Sequence, residues 1–204
     1  MTGVPGLLAP ARLLVNPAVL EVGARVIGLD LSIVSTGYAL PDGTTGRIKT
    51  RTGDRDRRLV IIRDRVAELI AEHRPDLAVL EDMPTRMKAT AVKAIGRVHG
   101  AVNTALLDAD VPYAYVPPAT LKKYATDNGN APKEDMAAAA FLAAGVQFSD
   151  DPKGDRCDAW WLRASGHDAY GVPLFELPAA QRERLAKVAW PDLTPQRYVL
   201  GFGQ

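Results

Sequence analysis

Asp30, Glu81, Asp155 and Asp158 are four carboxylates in unusual places. Asp30 follows the apolar run VIGL and Glu81 follows the apolar run LAVL, so each is expected at the end of a buried strand. Asp155 and Asp158 lie three apart in a stretch that reads as helix, which puts them on one face. If the two strands are neighbours, Asp30 and Glu81 converge, and the helix can bring Asp158, with Asp155, to the same point. Carboxylates gathered in this way need a counter-charge. Hard divalent cations with oxygen ligands supply it, Mg²⁺ being well suited and Mn²⁺ a second candidate. Two such ions about 4 Å apart can activate a water and stabilise the leaving oxygen in phosphodiester hydrolysis. The same acids could instead cap helices or pair with arginines, and the pattern alone leaves both readings open.

The elements that must position these acids follow from hydrophobic spacing. Arg25–Leu31, Gly37–Leu40 and Gly46–Thr50 read as three strands, with a Pro41-Asp42-Gly43 turn between the last two. Asp54 is expected to cap a helix running to His73, whose apolar positions Leu59, Ile62, Val66, Leu69 and Ile70 recur by threes and fours. Leu77–Leu80 is a buried strand. A helix over Ala89–Ala109 follows, with Val92, Ile95, Val98, Val102 and Leu106 on one side. Then come a strand at Val111–Val116, a short helix at Ala119–Tyr124, a loop at Thr126–Ala131, a helix from Pro132 to Ala144 and a helix over Asp155–Ser165. In the tail a last helix is expected at Pro178–Ala189. Three strands followed by a strand–helix–strand alternation predict an α/β fold, a mixed sheet flanked by helices.

The residues around the acids bear a family likeness. VIGLDLSIVSTGYAL (Val26–Leu40) resembles the first strand and hairpin of RuvC-type resolvases, with Asp30 at the first metal ligand. LAVLEDM (Leu77–Met83) resembles the strand that carries the family's catalytic Glu, here Glu81. VKAIGRVHGAVNTAL (Val92–Leu106) is similar to the helix that follows. PPATLKKYATDNGNAPKEDM (Pro117–Met136) is similar to the lysine-containing segment and loop. DRCDAWWL (Asp155–Leu162) resembles the terminal helix, with Asp158 at the last catalytic Asp and Asp155 at the accessory ligand. The resemblance implies an RNase H-like fold and a metal-dependent endonuclease that cuts Holliday junctions and other branched DNA. Lys122, Lys123 and Lys133 are expected to contact phosphate, and Arg86 and Lys88 to contact the junction. Phage-borne members look most similar, which widens the expected substrates to flaps. Asp127 departs from their pattern, standing where many have Gly.

Composition sets the remaining bounds. The chain has 204 residues, 47% apolar and 24% charged, enough for one domain with a full core. We expect an N-terminal extension over 1–24, a nuclease domain over 25–170 and a C-terminal extension over 171–204. Cys157 is the sole cysteine, so no internal disulfide forms and a reducing compartment, the cytoplasm, fits. No apolar run reaches the roughly 18 residues of a membrane span. The net charge is only +1, but residues 47–74 hold nine Lys or Arg against five acids; solvated helix faces would account for that. His73, His99 and His167 show no metal-ligand spacing, and Trp160 and Trp161 read as packing residues. Gly96, Gly100 and Ala101 on the Ala89–Ala109 helix would let a second copy approach, and a homodimer is expected. Two other classes compete: an actin-like or sugar-kinase ATPase, and a junction-binding protein that does not cut. The first needs two lobes and a second phosphate loop, for which the chain is too short. The second has no use for clustered carboxylates.

Overall fold

The structure, a computed structural model, describes residues 24–84 and 87–193. Five strands form one sheet: β1 (Val26–Asp30), β2 (Ser35–Ala39), β3 (Thr45–Lys49), β4 (Leu77–Glu81) and β5 (Tyr113–Val116), in the order β3-β2-β1-β4-β5. The first three form an antiparallel meander, while β4 pairs parallel with both β1 and β5. The helices are α1 (Arg57–His73), α2 (Ala89–Asp108), α3 (Pro118–Thr126), α4 (Lys133–Ala144), α5 (Asp155–Ala169) and the single turn α6 (Ala179–Arg182).

Alternation along the central strands explains the two layers. Ile27, Leu29, Ala78 and Leu80 point to one face, where they pack with Ile62, Val66 and Leu69 of α1 and Val98, Val102 and Leu106 of α2. Val26, Leu77 and Val79 point to the other, where α5 lies. Because both faces are covered, β1 and β4 are apolar at almost every position. Helix α5 is buried nearly all round, since α3, α4 and the 171–193 segment close over its outer side.

Several expected boundaries shift for identifiable reasons. Asp54 does not cap α1. Its carboxylate accepts the backbone N–H of Arg51 at 3.0 Å and closes a separate 3-10 turn, Thr52–Asp54. Arg55, at φ +46°, then breaks the path, and α1 begins at Arg57. Helix α5 runs on to Ala169, beyond Ser165, because its buried packing continues. The expected tail helix at Pro178–Ala189 is one α-turn followed by a 3-10 stretch, Glu183–Lys187, ending before Pro191. Nearly all of the proposed N-terminal extension, Arg86, and the chain beyond 193 lie outside the described residues.

Candidate active site

Register and alternation place the acids. Leu29 pairs with Leu80, so Asp30 and Glu81 stand side by side at the ends of parallel strands. Counting by twos from Val26 and Leu77 turns both carboxylates toward α5. Three glycines let α5 come close enough to meet them. A Cβ at Gly28 would collide with the Ala159 carbonyl, one at Gly37 with the Asp155 backbone, and one at Gly166 would crowd Val26 and Val79. The first turn of α5, carrying Asp155 and Asp158, therefore rests directly over β1 and β2. The four predicted acids do come together.

The two acids of α5 are each held by a partner from another element. Ser35 Oγ donates to Asp155 Oδ2 at 2.5 Å. The Lys133 ammonium, from the first residue of α4, lies on the Asp158 carboxylate. Asp151 Oδ2 accepts the backbone N–H groups of Arg156 and Cys157 at 2.9 and 3.0 Å, fixing the start of α5. Arg47 of β3 approaches the other oxygen of Asp151 at 3.6 Å. Ser35, Asp151 and Arg47 were not singled out from the sequence. An acid shortly before a helix is a capping signal that could have marked Asp151; nothing local marks Ser35.

Electrostatics shows what the cluster lacks. Burial raises Asp30 well above the usual carboxylate range, and the neighbouring charges of Glu81 and Asp158 push the same way. Glu81 is pushed up to about 7, first by burial and then by Asp158, with Lys133 opposing. Burial also raises Asp158, against the pull of Lys133 and Lys122. For Lys133, burial disfavours the charge, but Asp158, Asp30 and Glu81 outweigh it and raise the pKa. Four acids thus face two ammonium groups, with a surplus of buried negative charge and of oxygen donors. That donor set fits hard divalent cations. As the side chains stand, no three of them among the described residues enclose a metal position. Lys133 occupies Asp158 as a counter-cation, its side chain 43% exposed.

The other predicted residues divide. Lys122 is near enough to bias Glu81 and Asp158. Lys123 instead leans on Gly129 in the following loop. Lys88 is exposed at the start of α2, and Arg86 lies outside the described residues. Asp127 does not oppose these lysines freely: it pairs with Arg184 at 2.9 Å. Cys157 is buried, its thiol pushed up to about 12 by burial first. Trp160 and Trp161 are packed in the core, Trp161 donating to the Met136 carbonyl at 3.1 Å. His99 is buried and stacks on Tyr115, and burial lowers the pKa of His167 to about 4.

A mixed five-stranded sheet with carboxylates at the ends of β1 and β4 and on a helix packed across them defines an RNase H-like fold. A family model described as crossover junction endodeoxyribonuclease RuvC matches residues 19–161. The RuvC of Burkholderia mallei (strain NCTC 10247) is 33% identical over 140 residues, 69% of this chain and 76% of that protein. The RuvC of Halorhodospira halophila is 32% identical over 143 residues, 66% of this chain and 84% of that protein. Among solved structures, Thermus thermophilus RuvC in complex with a Holliday junction substrate aligns with a TM-score of 0.63 at 22% identity, covering 74% of this chain and 98% of that one. A second Thermus thermophilus RuvC structure gives 0.60 at 22%, covering 73% and 98%. The chain belongs to the crossover junction endodeoxyribonuclease RuvC family, whose activity depends on divalent metal.

Proposed function

We propose that the protein resolves Holliday junctions by hydrolysing phosphodiester bonds at the Asp30–Glu81–Asp158 cluster, with Asp155 as accessory ligand. The observation that carries this reading is the convergence of four carboxylates from two strand ends and one helix turn. Divalent cations at such a site activate a water and stabilise the leaving oxygen; Mg²⁺ is our first choice and Mn²⁺ our second. The chain's own groups do the rest. Asp30 and Glu81 are fixed by the sheet, Ser35 orients Asp155, and Lys122 and Lys133 draw the phosphate toward the acids. Lys123 and Lys88, with Arg86, are assigned to flanking backbone.

Two symmetry-related cuts require two sites, which a two-fold dimer provides. The surface of α2 supports this. Among the described residues, Gly100 has no atom near its missing Cβ, Gly96 has only the Met83 sulfur, and Val92 and Leu107 are exposed. The buried residues of α2 begin only at Val98, which leaves Val92 on its N-terminal part uncovered. We assign 25–170 to the nuclease domain, with 1–24 and 171–204 as extensions. We place the protein in the cytoplasm with its DNA; among the described residues no helix is long and apolar enough to cross a membrane.

The test is a substrate panel. Labelled four-way junction, flap and duplex are each incubated with Mg²⁺ or EDTA. The reading expects strong cutting of the junction, weaker cutting of flaps and little of duplex, all abolished by EDTA. Equal cutting of duplex would favour a general nuclease on this fold.

A further inference from the structure

The basic run at residues 47–58 is placed on the same sheet edge as the carboxylates. β3 runs parallel to β1, because each is antiparallel to β2. Its last residue, Lys49, is in register with Ser35, the residue that holds Asp155. Alternation puts Lys49 on the α5 face with it. The chain then leaves β3 through Arg51, Arg55 and Arg57, all exposed. Hydrogen bonds tie the turn: Asp54 takes the Arg51 N–H, Arg58 Nε donates to the Arg55 carbonyl at 2.8 Å, and Thr50 N–H donates to the Val34 carbonyl at 3.1 Å.

Solvated charge alone does not account for this turn. Its two acids are already engaged, Asp54 with the backbone and Asp56 with Arg97. Among the described residues, Lys49, Arg51, Arg55 and Arg57 have no acidic partner. Arg55 holds φ +46° and ψ −125°, a conformation that glycine would adopt without strain. Four basic residues against two acids in these nine residues leave a local positive surplus, which attracts an anion.

The geometry points to a second phosphate-binding surface: Lys49, Arg51, Arg55 and Arg57 grip the duplex arm on the β3 side of the cut, opposite the Lys122 side. The inference deepens the nuclease reading and rests on it. The sheet runs from β3 to β5 over four strand spacings, about 19 Å. One DNA strand presents a phosphate about every 3.4 Å of rise, so this edge spans about six. The carboxylates at β1 and β4 lie in its middle, and a strand crossing them is held on both sides.

The experiment uses the full-length chain bearing E81Q, so that binding is read without cutting, and compares it with E81Q carrying K49A/R51A/R57A. Affinity for a four-way junction is measured across a salt series. Three lost phosphate contacts should lower the slope of log K against log salt by about 2–3. Affinity should fall by similar factors whatever the arm sequence, since backbone contacts carry no base information. The charge-keeping K49R/R51K/R57K set should restore the slope, and thermal midpoints should agree, excluding misfolding. An unchanged slope in a folded triple alanine variant overturns the proposal. A wild-type protein that cuts no branched DNA would refute the nuclease reading instead, and the salt slopes would still decide whether this surface holds DNA.

Discussion

Asp30 and Glu81 lie one residue past the Leu29–Leu80 register pair of two parallel strands, so two buried carboxylates share one sheet edge. This has a consequence for stability. In the folded, metal-free protein burial and the Asp158 charge push Glu81 up to about 7, above its ordinary value of 4.5. The folded state therefore holds this proton more tightly than the unfolded chain. The stabilisation is fully present below about pH 4.5 and is lost as pH rises through about 7, on the order of 3 kcal/mol. Melting in EDTA from pH 4.5 to 8 should show a declining midpoint, and E81Q should make the decline shallower, with Asp30 and Asp158 keeping the rest. Mg²⁺ should raise the midpoint more at pH 8 than at pH 5. A wild-type profile parallel to that of E81Q would contradict the account.

Lys133 meets Asp158 from a different helix and stands where a cation is needed. K133A should cost about 1 kcal/mol in EDTA, the discount reflecting its exposure. The cost should shrink at saturating Mg²⁺, because the metal then supplies the charge. Denaturant titrations with and without Mg²⁺ measure both numbers; an equal cost in the two conditions would show that Lys133 and metal do not compete.

Ser35 positions Asp155 through a single hydrogen bond. S35A should weaken metal affinity or cleavage by about 10–100-fold, as loss of a ligand's outer partner does. D155N should be milder than substitution of the other three acids, since water can partly replace an accessory ligand. G37A is more disruptive, because its Cβ would enter the Asp155 backbone. It should destabilise the fold by about 1–3 kcal/mol as well as slow cleavage. Calorimetry and metal-dependent cleavage curves separate the two effects.

Lys122 and Lys123 were equivalent in sequence and are not equivalent in the fold. Lys122 faces the acids, while Lys123 leans on Gly129. K122A should slow cleavage and flatten the salt dependence of binding by about 1, the value for one phosphate contact. K123A should change the slope less. Identical slopes for the two variants would put both on the DNA.

The acids themselves were legible because an acid after an apolar strand is rare and because alternation fixes its direction. The sheet and the long helices were legible from their periodicity. Other features depend on contacts distant in sequence. Ser35 and Asp155 are 120 residues apart, and no local pattern pairs them. Lys133 was visible as a lysine before a helix, but its union with Asp158 depends on how α4 crosses α5. The start of α1 is not legible, because Asp54 resembles a cap and is used for a turn instead. In the tail, apolar spacing suggests one helix and does not show that Leu185 and Trp190 anchor an irregular strap on the core.

The central claim is that Asp30, Glu81 and Asp158 together cut a junction. Its most direct measurement is single-turnover cleavage of a four-way junction with each strand labelled in turn, in Mg²⁺, by wild type and by D30N, E81Q and D158N. Wild type should nick two symmetry-related positions on opposing strands. Each variant should lose on the order of a thousandfold in rate, the worth of several kcal/mol of charge stabilisation, while still binding the junction. Near wild-type cutting by any of the three, or cutting that persists in EDTA, would contradict it.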